Sequence, residues 1–254
     1  ICKLLRCLSL QQGRYMASFD GFIKHKSDAD IETMLEDYFE KFEISPMDAV
    51  KHFSTLARRQ LLKRFFAHID LFKLTLEVPG DIAELGVFRG FDLMTWANLL
   101  EAYSIGNRTK TVYGFDNWEG FVSVDQEDGG ENTKMQRQIG GYSPGRFKEE
   151  LLAAIEIFDA DRFIPQKPRI KLIEGDISET VPAFLDEFPG VRFSFIHFDC
   201  DMYAPTKAAL RPLWERLSRG GLILFDEYAI KEWPGETKAV DELLEDLPGA
   251  QLKT

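Results

Sequence analysis

Paired cysteines are absent from this sequence. Cys2, Cys7 and Cys200 are an odd trio with no C-x-x-C spacing, so neither a disulfide framework nor a structural zinc is expected, and a reducing cytoplasm fits best. Basic charge is also short. Thirty-one Lys and Arg face 42 Asp and Glu, a formal net charge of −11, and no Lys/Arg block is long enough to offset it. Such a surface repels phosphate backbones, so nucleic acid is not an expected partner. No apolar run approaches the roughly 18 to 20 residues of a membrane-spanning helix, and the opening ICKLLRCLSL is short and interrupted. The chain therefore reads as soluble, with no membrane partner. The dinucleotide fingerprint G-x-G-x-x-G is missing too, which disfavours a nicotinamide-linked oxidoreductase.

What is present is enough apolar material for one large core: 254 residues, 44% hydrophobic and 13% aromatic. Residues 29 to 74 place Ile31, Met34, Leu35 and Phe39, then Leu56, Leu61, Leu62, Phe65, Phe66, Ile69 and Phe72 at helical spacing among charges. This is a helical preamble, and residues 1–78 are assigned to it; the core domain is expected over 79–254. From Pro79-Gly80 onward the pattern alternates. Strand-like runs begin with DIAELGV, TVYGFD, RIKLIEG, VRFSFIHFD and GGLILFDEY, and helix-like stretches at 92–103, 147–158, 181–188, 204–217 and 235–247 separate or follow them. Such alternation predicts an α/β fold, a doubly wound parallel sheet with helices on both faces and its ligands at the carboxyl ends of the strands. The closing AQLKT reads as a strand just begun, so a truncated C-terminal strand is expected. The polar stretch 126–145 is long for a turn and reads as a lid or an insertion.

Chemistry concentrates at the predicted strand ends. The first strand closes in Glu84-Leu85-Gly86-Val87-Phe88-Arg89-Gly90, an E-x-G-x-x-x-G pattern that lets a ligand approach the backbone near a helix N-terminus. The spacing suits a ligand without a pyrophosphate, such as S-adenosylmethionine, although the glycines could serve packing alone. Asp116 ends the second strand, where doubly wound folds place an acid for ribose hydroxyls; it could instead begin the 117–120 turn. Asp176 after the third strand could meet an adenine amino group or cap the next helix.

Carboxylates make the strongest cluster. Asp199 and Asp201 follow one strand, while Asp226 and Glu227 follow the next. Acids crowded at one sheet edge repel, and a hard cation with oxygen ligands, Mg²⁺ above all, relieves them. A cation there polarises a hydroxyl while a spare carboxylate removes its proton. His197, two residues before Asp199, reads as a core or supporting histidine and is left out of the site. Arg89, Trp118, Tyr203, Lys231, Trp233 and Lys238 flank these motifs and could line a pocket or simply pack.

Taken together, VPGDIAELGVFRG, VYGFDNWEGF, the Gly-Asp after the third strand, FIHFDCDMY, GGLILFDEY and PGETKAVDE resemble the successive blocks of the macrocin O-methyltransferase family, from about residue 30 to 247. The resemblance implies a class I methyltransferase fold binding S-adenosylmethionine, with Mg²⁺ held by Asp199, Asp226 and Glu227 and with Asp201 as general base. By the same carry-over Glu84, Gly86 and Gly90 hold the methionine end, Asp116 the ribose and Asp176 the adenine, with Trp118 and Ile177 flanking the cofactor. A small-molecule hydroxyl, of a sugar or natural product, is the implied acceptor, and a homodimer the implied assembly. Two departures stand out: Asp226-Glu227 replaces an expected Asp-Asp, and the final antiparallel strand is expected to be cut short. Transfer to nitrogen or to a catechol on the same scaffold, and a nucleoside-binding module without turnover, are the competing readings.

Overall fold

Parallel strands and covering helices dominate the computed structural model, which describes residues 4–7, 15–17, 23–25, 28–143, 145–247 and 250–253; Cys2 lies outside them. In chain order come β1 (Leu4–Cys7), β2 (Tyr15–Ala17), β3 (Ile23–His25), α1 (Asp28–Lys41), α2 (Pro46–Lys51), α3 (Phe53–Leu56) and α4 (Arg59–Lys73). The alternation follows: β4 (Asp81–Leu85), α5 (Phe91–Tyr103), β5 (Val112–Asp116), α6 (Phe147–Asp161), β6 (Ile170–Glu174), α7 (Ile177–Glu187), β7 (Phe193–Phe198), α8 (Tyr203–Arg216), β8 (Leu217–Phe225), α9 (Pro234–Glu245) and β9 (Gln251–Lys253).

The chain divides into two compact units, residues 10–69 and residues 1–9 with 70–254; the sequence pattern placed its boundary at 79. Within the smaller unit β2 and β3 form an antiparallel pair. Helix α2 starts where Ser45 accepts from the Asp48 backbone N–H at 3.1 Å and Pro46 occupies the first turn, a position that tolerates a missing N–H.

The larger unit holds a seven-stranded sheet in the order β6-β5-β4-β7-β8-β1-β9. Its described pairings are all parallel, so the doubly wound α/β reading stands. The antiparallel final strand implied by the resemblance is not what borders β8. The short β1 does, and β9 pairs with it. Buried Phe193, Ile196, Phe198, Leu213, Ile223 and Phe225 make one face of the core, with the Phe198 and Phe225 rings stacked at 5.2 Å. Helix α7 begins at Ile177, four residues before the expected 181, because the Asp176 carboxylate accepts from Ser178 N at 2.8 Å and caps it early. Pro182 is then inside the helix.

At the opposite end of the strands, Glu101 Oε1 joins Arg162 Nε at 3.0 Å and Arg169 Nε at 2.9 Å, with both guanidinium side chains only 3% exposed. Arg169 also donates to the Lys110 and Asn107 carbonyls. Removing the shared carboxylate leaves buried cations short of a partner, which costs about 3 kcal/mol. Glu101→Ala should therefore lower unfolding stability by about that amount in a urea titration, whereas Lys207→Ala, at an exposed pair with Glu242, should change it by less than about 1 kcal/mol.

Candidate active site

The register of the parallel strands sets the site. Leu85 pairs with Phe115 on one side and Phe198 on the other, and Phe198 pairs with Phe225. The next residue of each strand therefore falls in one row: Asp116, Gly86, Asp199 and Asp226. Backbone bonds carry the row past the sheet, from Gly86 N to Phe115 O (2.9 Å), Asp199 N to Leu85 O (2.8 Å) and Asp226 N to Phe198 O (3.1 Å).

Gly86 has φ +87°, and a Cβ built there would lie 2.0 Å from the Asp199 carbonyl oxygen. Only glycine lets β4 turn so close to the end of β7. Gly90, at φ +83°, precedes α5, where a Cβ would meet Leu151 of α6 at 2.4 Å. Asp116 holds this turn together. Its Oδ2 accepts from Val87 N (2.7 Å) and Phe88 N (2.8 Å), and its Oδ1 from Trp118 N (2.7 Å). Phe88 and Trp118 both sit at positive φ, +48° and +53°, a conformation that side chains disfavour, so the carboxylate stabilises two strained residues at once. A carboxylate offers about four acceptor positions; a ribose would share those oxygens with the backbone. Trp118 is buried with Nε1 lacking a hydrogen-bond partner, and Lys148 lies 5.1 Å over its ring. Asp176 is a helix cap, and Ile177 behind it belongs to the core cluster.

Below the row runs a buried polar line. Glu84, 1% exposed, is the register partner of His197. His197 Nδ1 is 3.8 Å from Glu84 Oε2, and its Nε2 is 3.4 Å from Asp226 Oδ1. Burial lifts the Glu84 pKa to about 8, partly opposed by His197. Burial acts against a charged His197, but the Asp226 and Glu84 carboxylates outweigh it and raise the pKa well above 6.5. Glu84 Oε2 makes no hydrogen bond, so this acid is suited to a cationic ligand.

Ligand atoms of His197, Asp199 and Asp226 all lie within 4.8 Å of one another. Asp201 and Glu227 do not enter that group. Asp201 adopts φ +62°, and burial together with Glu227 and Asp199 pushes its carboxyl well above the usual range. The Glu227 backbone N–H donates to Glu236 Oε1 at 2.8 Å. Glu236 is fully buried, its Oε2 has no hydrogen-bond partner, and burial followed by Glu227 and Asp226 raises its pKa. Cys200, among these acids, is a buried thiol pushed upward by burial, which makes it a poor nucleophile.

Residues 126–143 form a structured wall rather than a bare loop. Short 3₁₀ turns occupy Gln126–Asp128 and Thr133–Met135, and Phe121 and Gly141 are joined through Phe121 N to Gly141 O (3.0 Å). Phe121, Val124, Met135 and Tyr142 pack on Met202, Ile230 and Trp233, while Tyr142 also meets Phe88 of the glycine turn at 6.2 Å. The wall thus spans from the glycine turn to the acids. Arg137 donates to the Gly130 and Glu232 carbonyls and lies over the Trp233 ring. Lys238 pairs with Glu127 at 3.0 Å, and Arg89 stacks on Phe147 at 3.8 Å.

The family model described as macrocin O-methyltransferase (TylF) matches residues 22–246. The chain belongs to the macrocin O-methyltransferase family. Mycinamicin III 3''-O-methyltransferase of Micromonospora griseorubida is 28% identical over 165 residues, 65% of this chain and 60% of that protein. A rhamnosyl-tetracenomycin-C 4'-O-methyltransferase of Streptomyces olivaceus is 29% identical over 60% of this chain and 54% of its own length. The chain thus spans less than two thirds of these curated relatives. A crystal structure of CalS11, calicheamicin methyltransferase, superposes with a TM-score of 0.84 at 28% identity, covering 97% of this chain and 95% of that one. The O-methyltransferase NovP, at 20% identity and TM-score 0.54, shares the fold.

Three buried residues beside the candidate site are not among the predicted site residues: His197, read as a core or supporting histidine, Glu236 and Asp128. His197 had a signal, since it shares strand parity with Asp199. Glu236 lay inside the block PGETKAVDE, hidden as one acid among many. Asp128 offered none for its bond to Tyr203 N, which lies 75 residues away in sequence.

Glu84 and His197 both bind protons more tightly when folded, so stability is full below their unfolded pKa values and falls as pH rises. Thermal melts of the ligand-free chain should show stability falling between about pH 4.5 and 8. Glu84→Gln, which mimics the protonated acid, should flatten that slope and be more stable than wild type at pH 8.

Proposed function

We propose that the chain is an S-adenosylmethionine-dependent O-methyltransferase that uses a divalent cation, Mg²⁺ by preference, to methylate a hydroxyl of a sugar or sugar-bearing natural product. The observation that carries this reading is the row Asp116, Gly86, Asp199, Asp226, a glycine turn and an acid cluster at adjacent strand ends. The residues fit both groups. The buried Glu84 Oε2 and Trp118 Nε1, each without a hydrogen-bond partner, suit a polar ligand with a cationic end. The close approach of the Asp199 and Asp226 carboxylates suits a hard cation with oxygen ligands.

S-adenosylmethionine, when bound, supplies an electrophilic methyl group, and a cation supplies Lewis-acid polarisation of the acceptor hydroxyl. In this reading Glu84 faces the methionine ammonium, with Gly86 and Gly90 letting the ligand approach the backbone. Asp116 accepts from the ribose hydroxyls and Asp176 from the adenine amino group, while Trp118 and Ile177 flank the rings. Asp199, Asp226 and Glu227 are the cation ligands, with His197 orienting Asp226 as supporting groups commonly do. Asp201 takes the hydroxyl proton as the new C–O bond forms and the C–S bond breaks. Its raised proton affinity suits a base, and Phe121, Tyr142 and Trp233 form the aromatic cluster of the wall. The acceptor class comes from the relatives' names, which specify the 3''-oxygen of mycinamicin III and the 4'-oxygen of a rhamnosyl-tetracenomycin C; one CalS11 structure is described as a TDP-rhamnose 3'-O-methyltransferase.

Calorimetry should show S-adenosylmethionine binding at micromolar strength and NAD not binding; the reverse result removes the cofactor assignment. With TDP-rhamnose, a catechol and an amine offered side by side, transfer should favour the sugar, require Mg²⁺ and stop with chelator. Asp201→Asn should lower kcat about 10²- to 10⁴-fold with cofactor affinity retained, and near-wild-type turnover would exclude Asp201 as the base.

A further inference from the structure

Asp128 does what no residue of the acid turn does for itself. Helix α8 begins at Tyr203, and Met202 before it gives no side-chain cap. The missing acceptor arrives from the wall: Asp128 Oδ1 accepts from Tyr203 N at 2.7 Å, across 75 residues of sequence. Its Oδ2 accepts from Asp125 N at 2.7 Å, closing the 3₁₀ turn on which it sits. The carboxylate is 2% exposed and wedged against α9, where a Cβ on Gly235 would come within 2.0 Å of Oδ1. A buried anion at the start of a 14-residue helix is favoured by both the open N–H groups and the helix dipole.

The capped amide is two residues beyond Asp201, whose φ of +62° is uncommon for a side-chain-bearing residue and persists where neighbours over-determine it. Between Asp199 and Tyr203 the chain has to turn sharply out of β7 and into α8. One end of that turn is fixed by Asp199 N on Leu85 O, and the other by Asp128.

We propose that Asp128 is a positioning residue: by capping α8 from the wall it holds the Asp199–Tyr203 turn, and with it the carboxylates of Asp199 and Asp201, in working geometry. This rests on the reading of those two acids as cation ligand and base. Its consequence is that the wall and the acid turn form one mechanical unit, so that whatever seats against Phe121 and Tyr142 is registered to the proton acceptor.

The test uses the full chain with Asp128→Ala, Asp128→Asn and, as a control on the same turn, Glu127→Gln. Hydrogen–deuterium exchange of residues 199–206 should speed up roughly three- to thirtyfold in Asp128→Ala, as loss of a cap implies. Mn²⁺ affinity, read from the free-ion paramagnetic signal, should weaken by about fivefold or more, with S-adenosylmethionine affinity by calorimetry within about twofold, both as expected of a lost cap. Asp128→Asn, whose amide oxygen can still accept from Tyr203, should recover most of the protection and Mn²⁺ affinity, and Glu127→Gln should change neither. Unaltered exchange at 199–206, equal loss of Mn²⁺ and S-adenosylmethionine, or identical behaviour of the Ala and Asn variants would overturn the proposal. If wild-type protein binds no Mn²⁺, the cation reading fails by itself, and the exchange comparison still decides whether Asp128 holds the turn.

Discussion

Everything at this site depends on the parallel register of four strands. Because Phe115, Leu85, Phe198 and Phe225 lie level across β5, β4, β7 and β8, the hydrophobic sheet ends abruptly and polar residues begin at one height. The large rings beneath make the boundary hard: Phe198 and Phe225 are fully buried, whereas Asp199 and Asp226 immediately after them are partly open. The sheet supplies the rigidity, and the polar residues need only be the first ones past its edge.

That arrangement carries an electrostatic cost. Glu84 and Glu236 are carboxylates in places with almost no water, and Asp199, Asp201, Asp226 and Glu227 add more negative charge beside them. His197 offsets part of it by lying between Glu84 and Asp226. The remainder is why these groups hold protons more tightly than free carboxylates do. A site under this strain is selective by sign: it gains free energy from a cation and loses it on admitting another anion.

Much of this was legible in the sequence because it depends on local pattern. The βα alternation, the glycine turn and the four acids at two strand ends all follow from period, turn residues and chain order. What stayed hidden depends on distance. β1 is four residues whose pairing partners begin more than 200 positions later, and no periodicity in so short a run reveals that. The early start of α7 turned on one capping bond at Asp176. Asp116 showed as an acid at a strand end, yet not as the clamp on Phe88 and Trp118, because backbone strain has no sequence signature outside glycine. The polar 126–145 stretch read as a lid or an insertion; Asp128 and Arg137, both buried, tie residues 126–143 to backbone groups elsewhere in the chain.

The level ending of the strands also limits how the gene for such a chain can drift in length. One residue added within β7 would displace Asp199 by about 3.3 Å along the strand and turn His197 toward the opposite layer of helices. A deletion in β4 would draw the glycine turn away from the carbonyl it abuts. Insertions are therefore tolerable in the connections and at the wall's exposed tips, and intolerable in the five or six residues that precede each strand end, so members of such a lineage should vary in total length while keeping these strand segments at constant size.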